Sequence, residues 1–205
     1  MVVAGCTKPT DEQAGEWVDL GLPSGLLWAS HNVGASVPEE YGNYFAWGEV
    51  QPKEVYGLNN YRYYSEVIDD NTKYTGSDGL LVLQSSDDAA TANMGDTVRI
   101  PTKAEWEELI KYTTGKMITQ KGVYGHQLTG RNGKSIFLPA GGFRWDMEMD
   151  GVSAYGKYWS STLDRNYPNN AFCYYFDYYY NADGIEDNTE LRYYGLMVRP
   201  VRSAR

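Results

Sequence analysis

Apolar and polar positions alternate most sharply in Phe172-Cys173-Tyr174-Tyr175-Phe176-Asp177. In a strand, successive side chains turn to opposite faces. The pattern therefore predicts a strand that buries Phe172, Tyr174 and Phe176 and turns Cys173, Tyr175 and Asp177 outward, with Tyr179 following on that side. The clearest helical pattern begins at Pro101. Thr102 and Glu105 have capping-box spacing, Trp106, Leu109 and Ile110 share one face, and Gly115 is the predicted stop. The acids Glu105, Glu107 and Glu108 read as a solvated first turn rather than as catalytic carboxylates.

Elsewhere the apolar runs are short and broken by turn residues. Trp17 to Leu22 and Leu26 to Ala29 flank Pro23-Ser24-Gly25 and predict a hairpin. An aromatic segment, Tyr44-Phe45-Ala46-Trp47, follows. From Val50 to Leu83 the chain is polar, aromatic and punctuated by glycine, a long insert with little periodicity. Ser86 to Gly95 predicts a second short helix, with Ser86 as its cap, Asp87 and Asp88 near its positive end and Gly95 ending it. Tyr124 to Thr129 and Ser135 to Ala140 surround Asn132-Gly133, a strong hairpin signal. A loop is predicted between Phe143 and Tyr158.

The 205 residues suit one domain, with two small ones as the alternative. Aromatics at 15% and 22 glycines point to many turns and short strands, not to a helical bundle. A formal charge of −9 argues against a nucleic-acid partner, because phosphates would be repelled. No apolar run approaches the length of a membrane span. The cysteines Cys6 and Cys173 and the histidines His31 and His126 lie far apart in sequence. They form neither a disulfide framework nor a clustered metal site.

At the N-terminus, Val3-Ala4-Gly5-Cys6 resembles a bacterial lipobox with Cys6 as the lipidated residue. Five residues precede Cys6, fewer than a complete signal peptide has, so the start reads as truncated, misassigned or engineered. Residues 1–15 are then a tether, expected to be disordered, and residues 16–205 form the domain.

The chemistry concentrates between Tyr158 and Val201, which hold nine of the 19 tyrosines together with many Asn and Asp. Tyrosine gives a large, rigid contact area, and Asn and Asp give adaptable hydrogen bonds, a mixture typical of binding surfaces. The alternative is an edge hairpin whose tyrosines simply favour half-buried strands.

Seven blocks carry a resemblance. They are Glu16-Trp17-Val18-Asp19-Leu20-Gly21-Leu22-Pro23-Ser24-Gly25, Asn32-Val33-Gly34-Ala35, Tyr44-Phe45-Ala46-Trp47-Gly48-Glu49, Arg99-Ile100-Pro101-Thr102, Ile136-Phe137-Leu138-Pro139-Ala140-Gly141-Gly142, Tyr158-Trp159-Ser160-Ser161 and Val198-Arg199-Pro200-Val201. In order and wording they resemble Bacteroidales surface proteins of the Fibrobacter succinogenes major paralogous domain type. The resemblance implies an α+β C-type lectin fold of the branch related to formylglycine-generating enzymes. Two short helices would pack around a small twisted antiparallel sheet with Gly- and aromatic-rich loops.

The Tyr158–Val201 stretch also resembles the variable region of target proteins of diversity-generating retroelements. There, adenines of a template repeat are randomised, and Asn codons become Tyr, Asp, Ser, Cys or Phe codons. Glu186 and Glu190 cannot arise from an Asn codon by adenine changes alone, so those positions are fixed or come from Lys codons. The resemblance implies a ligand-binding receptor or adhesin whose site is made by Asp164, Asn166, Tyr167, Asn169, Cys173, Tyr175, Asp177, Tyr178, Tyr179, Tyr180, Asp183, Asp187, Asn188, Tyr193 and Tyr194. It would be lipid-anchored at the bacterial cell surface or outer membrane, with no other membrane tie. Its ligand would be a protein or glycan on another cell, a phage or a host surface. A non-diversified fimbrial or carbohydrate-binding adhesin is the alternative.

An enzyme is not expected. The cysteine pair used in formylglycine generation is missing, and no Ser-His-Asp set appears. Pro38-Glu39-Glu40 and Trp145-Asp146 do not match the Glu-Pro-Asn, Gln-Pro-Asp or Trp-Asn-Asp motifs of sugar-binding C-type lectins. No catalytic cofactor is implied, while the many Asp and Asn leave room for structural calcium.

Overall fold

The computed structural model describes residues 17–67, 70–180, 182–184 and 188–204. Strands take 41% of the chain and helices 12%. In chain order the strands are β1 Trp17–Asp19, β2 Leu27–Ala29, β3 Tyr44–Phe45, β4 Tyr64–Ser65, β5 Asp70–Asn71, β6 Thr113–Gln120, β7 Val123–Gly130 and β8 Ser135–Pro139. They continue with β9 Gly141–Trp145, β10 Glu148–Val152, β11 Tyr155–Leu163, β12 Asn170–Asp177, β13 Ala182–Gly184, β14 Thr189–Leu191, β15 Leu196–Met197 and β16 Val201–Arg202. The helices are α1 Ala89–Met94 and α2 Lys103–Tyr112.

This corrects the expected fold class. The described strands form four separate sheets, the largest running β10-β9-β11-β12-β13 with β14, β15 and β3 attached. Among the described residues only α2 exceeds two turns. The molecule is mostly β, and the small single sheet flanked by two helices that a C-type lectin fold implies is not what forms.

The reasons are local. Helix α1 starts later than predicted, because Asp88 rather than Ser86 is its cap and accepts from the Ala90 and Thr91 amides. Gly95 ends it as expected, six residues on. Helix α2 has the predicted Thr102–Glu105 capping box but ends at Tyr112, before Gly115. The Thr113 hydroxyl donates to Leu109 O at 2.7 Å. Thr113 and Thr114 then open β6, in keeping with the strand preference of β-branched residues. Gly115 has another task, since a Cβ there would lie 2.3 Å from His126 Nε2.

The loop expected between Phe143 and Tyr158 is instead largely the antiparallel β9–β10 hairpin. Two hairpin expectations hold. β1 and β2 form the predicted hairpin across the Pro23-Ser24-Gly25 turn. β7 and β8 pair around Asn132-Gly133, and β6 adds a third, unpredicted strand. β16 pairs with β2, so both ends of the domain share one sheet.

The core is aromatic. Trp106 lies edge-on to Trp28 and stacks on Tyr174, with ring centroids 4.7 Å apart in each case. The 50–83 insert is part of this core. Tyr56, Tyr61, Tyr63 and Tyr74 are buried, and their hydroxyls donate to Tyr44 O, Trp47 O, Gly48 O and the Asp87 carboxylate. The insert closes around Arg192. Its buried guanidinium donates to Tyr61 Oη and to the Lys73, Tyr74 and Pro168 carbonyls at 2.9–3.1 Å. Arg199 is likewise buried, donating to Asn32 Oδ1, Ala29 O and Phe137 O. Burial, with no described carboxylate paired to it, pushes the Arg199 pKa down to about 10.

Candidate binding surface

β11 and β12 pair antiparallel, with Lys157 opposite Tyr175, Tyr158 opposite Tyr174 and Trp159 opposite Cys173. The pleat sends Tyr158, Tyr174 and Phe176 to the α2 side, where they are fully buried. The Tyr174 hydroxyl lies 2.7 Å from His126 Nδ1. Burial lowers the His126 pKa, and the nearby Asp183 carboxylate acts in the opposite direction.

On the other side, Tyr155, Lys157, Cys173 and Tyr175 line a cleft of about 270 Å³, completed by Asn188 and Glu190. β14 runs antiparallel along β12 and brings Glu190 in. Lys157 and Glu190 form an ion pair across the cleft. The Lys157 ammonium also stands 4.3 Å from the Phe143 ring centroid, 5.4 Å from Tyr155 and 5.9 Å from Tyr175. Such cation–π contacts hold an ammonium in place among rings. From there an aromatic row continues from Tyr175 through Tyr155, Phe143 and Tyr194 to Tyr193, in steps of 5.0–6.3 Å.

Tyr193 lines a second cleft, of about 340 Å³. Tyr64, Asp70, Asn71 and Asn169 line it as well, and buried Arg192 reaches it. The Asn71 amide donates to Asn169 Oδ1 at 2.6 Å. The insert and the C-terminal stretch thus build this cleft together.

Asp164, Asn166, Tyr167, Asp177, Tyr178, Tyr179 and Tyr180 sit on two turns made by one device, and Asp183 lies on β13. Asp164 Oδ1 accepts from the Asn166 and Tyr167 amides. Asp177 Oδ1 accepts from the Tyr179 and Tyr180 amides. Each carboxylate caps the turn two and three residues ahead and holds tyrosines outward. Tyr167 is 70% exposed, Tyr179 75% and Tyr180 83%. Tyr178 packs on Tyr124 of β7, centroids 4.7 Å apart, which extends the surface beyond the predicted stretch.

Three predicted contact residues are therefore reassigned. Asp164 and Asp177 are buried and shape turns rather than meet a ligand. Burial alone would raise the Asp177 pKa, but the Tyr180 amide, the Tyr175 hydroxyl and the Tyr179 amide hold it below the usual carboxylate range. Cys173 has the predicted parity but is 1% exposed, the floor of its cleft rather than an open thiol, and burial pushes its pKa up. Asn166, Tyr167, Asn169, Tyr178, Tyr179, Tyr180 and Asp183 are exposed, and Tyr175, Asn188, Tyr193 and Tyr194 half-buried. Asp187, Glu186 and Cys6 lie outside the described residues.

Sequence reasoning missed Tyr155, Lys157, Phe143, Tyr124 and the Tyr64–Asp70–Asn71 wall. Parity along Tyr155-Gly156-Lys157 carried a signal, since it sets both side chains on one face. The antiparallel register was needed to place that face beside Tyr175. Among the described residues no group of three or more His, Cys, Asp or Glu is arranged to hold a metal ion. Among the described residues no helix is long and apolar enough to cross a membrane. No protein family, curated protein or solved structure matches this chain.

Proposed function

We propose that this chain is a ligand-binding surface protein whose Tyr/Asn/Asp-rich region between Tyr158 and Val201 is the binding surface and is varied by a diversity-generating retroelement. The observation that carries the reading is the split across β12. One face is sealed against Trp106 and His126, while the other face and its two capped turns hold tyrosines at or near the surface. Rigid aromatic anchors with adaptable amides around them suit recognition of a large partner, whether protein or glycan. Glu190, which adenine changes cannot derive from Asn, pairs with Lys157 and so has a reason to stay fixed.

A lipid on Cys6 ties the domain to the bacterial outer surface, with residues 7–15 as tether. The carbohydrate-binding alternative has one observation in its favour, the second cleft, where Tyr64 and Tyr193 rings stand beside Asp70, Asn71 and Asn169. Those are groups that bind sugar hydroxyls and ring faces.

Sequencing the DNA around the gene tests the main reading. A nearby near-copy of the Tyr158–Val201 codons, with adenines where the gene differs and a reverse transcriptase beside it, is the expected result. Its absence, with the region invariant among isolates, would sink the diversified reading and leave an adhesin with one inherited partner.

A further inference from the structure

The β9–β10 hairpin exposes large apolar residues on both of its faces, away in sequence from the tyrosine-rich stretch. Trp145 and Val152 lie on the side of Glu148 and Asp150, and Met149 lies on the other side with Arg144. Its sequence, Trp145-Asp146-Met147-Glu148-Met149-Asp150, alternates apolar residues with acids, and all six residues are exposed. Met147 is 70% exposed, and Trp145, Met149 and Val152 are each close to half exposed. Large exposed apolar residues clustered on one ordered element mark an interaction surface more often than single ones do. Methionine in particular adapts its shape to what packs on it.

The hairpin is not loose. Its tip is held to the insert by two backbone hydrogen bonds, Tyr56 N–H to Asp146 O at 2.8 Å and Asp146 N–H to Tyr56 O at 2.9 Å. β10 is the terminal strand of the largest sheet and pairs, among the described residues, with β9 alone. An open edge with free backbone groups is a template for one more strand.

The alternation says which strand fits. Glu148 and Asp150 share one face of β10 and Met149 takes the other. One Asp150 oxygen accepts from the Tyr155 hydroxyl at 2.7 Å, and the other is left for a partner. An added strand matches this edge when its basic residues stand beside Glu148 and Asp150 and its apolar residues beside Met149. A second copy of this chain is a poor occupant. It would set acid beside acid, and each copy carries a formal charge of −9.

We propose that the outer edge of β10 docks an extended segment of a partner protein in which Lys or Arg alternates with apolar residues. The test uses the whole domain and two capped synthetic peptides, one alternating Val with Lys and one alternating Val with Glu, followed by amide shifts in NMR. The Val–Lys peptide should shift residues 145–152 and weaken with added salt, and the Val–Glu peptide should not bind. E148K/D150K should weaken the Val–Lys peptide about tenfold or more and admit the Val–Glu peptide. A thermal melt like the parent's would show that this variant is folded. Three results would overturn the proposal: no shift at 145–152, equal binding of both peptides, or a dimer in sedimentation that forms through this edge and excludes the peptide.

Discussion

Tyr174 and Tyr175 are neighbours on β12 and meet different surroundings. Tyr174 is fully buried, stacks on Trp106 and reaches His126 with its hydroxyl. Tyr175 is half-buried, donates to Asp177 at 2.7 Å and faces Tyr155 and Lys157. The first belongs to a network in which α2, β7 and β12 depend on one another. The second has side-chain partners drawn from β11 and its own strand. Exchanging residues on the first face opens a cavity or strands a buried polar group, whereas exchange on the second disturbs local pairings. One strand can thus be a fixed scaffold on one side and a changeable surface on the other.

The contrast can be broken most forcefully from the sealed side. Trp106→Ala removes the ring between Trp28 and Tyr174, and should cost about 3–5 kcal/mol in urea unfolding. Arg199→Met comes next. It leaves Asn32 Oδ1, Ala29 O and Phe137 O without their donor, a loss of about 3 kcal/mol by the same measurement.

Acid should act more gently. Burial alone would raise the Glu105 carboxyl, but the hydrogen bonds from Arg99 and Thr102 outweigh it and hold its pKa below the ordinary 4.5. Asp177 is held below its ordinary 3.8 in the same way. A carboxyl depressed in the fold stabilises it fully above its unfolded value and loses that contribution as pH falls through the folded one. Melting temperature should therefore be steady above about pH 5 and decline below about 4.5, with a shallower decline in Arg99→Met.

The smallest effect on stability belongs to the open face. Tyr179→Ala and Tyr180→Ala should change unfolding free energy by no more than about 0.5 kcal/mol. Once a ligand is in hand, the same variants should weaken its binding by about 2 kcal/mol, as hot-spot tyrosines do. A large loss of stability in either would erase the distinction between the faces.

Much of this was written in the sequence. The α2 capping box and the Asn132-Gly133 hairpin are local signals, and each formed where local rules place it. The β12 alternation was only partly realised: Tyr174 and Phe176 are buried as expected, but Phe172 is half-buried and Cys173 and Asp177 are buried. The end of α2 was misplaced because Gly115 is needed for room beside His126, a contact across two strands. The 50–83 insert lacks periodicity because its tyrosines are buried one by one, Tyr61, Tyr63 and Tyr74 around Arg192 and Tyr56 beside Arg144, rather than along a regular face. Parity gave the side on which Cys173, Tyr175 and Asp177 lie, but not what covers that side. The Lys157–Glu190 pair and β14 are brought there by pairing that sequence spacing does not reveal. Asp164 and Asp177 looked like contact residues by composition, and their turn-capping role is visible only once the loops are folded.

The central claim is that one face of this domain varies while the other is held. Sequencing the gene from many isolates tests it most directly. The account predicts changes concentrated at Asn166, Tyr167, Tyr175, Tyr178, Tyr179, Tyr180, Asn188, Tyr193 and Tyr194, with Tyr158, Tyr174 and Phe176 unchanged. Changes spread evenly over the gene, or as frequent at Tyr174 as at Tyr175, would contradict it.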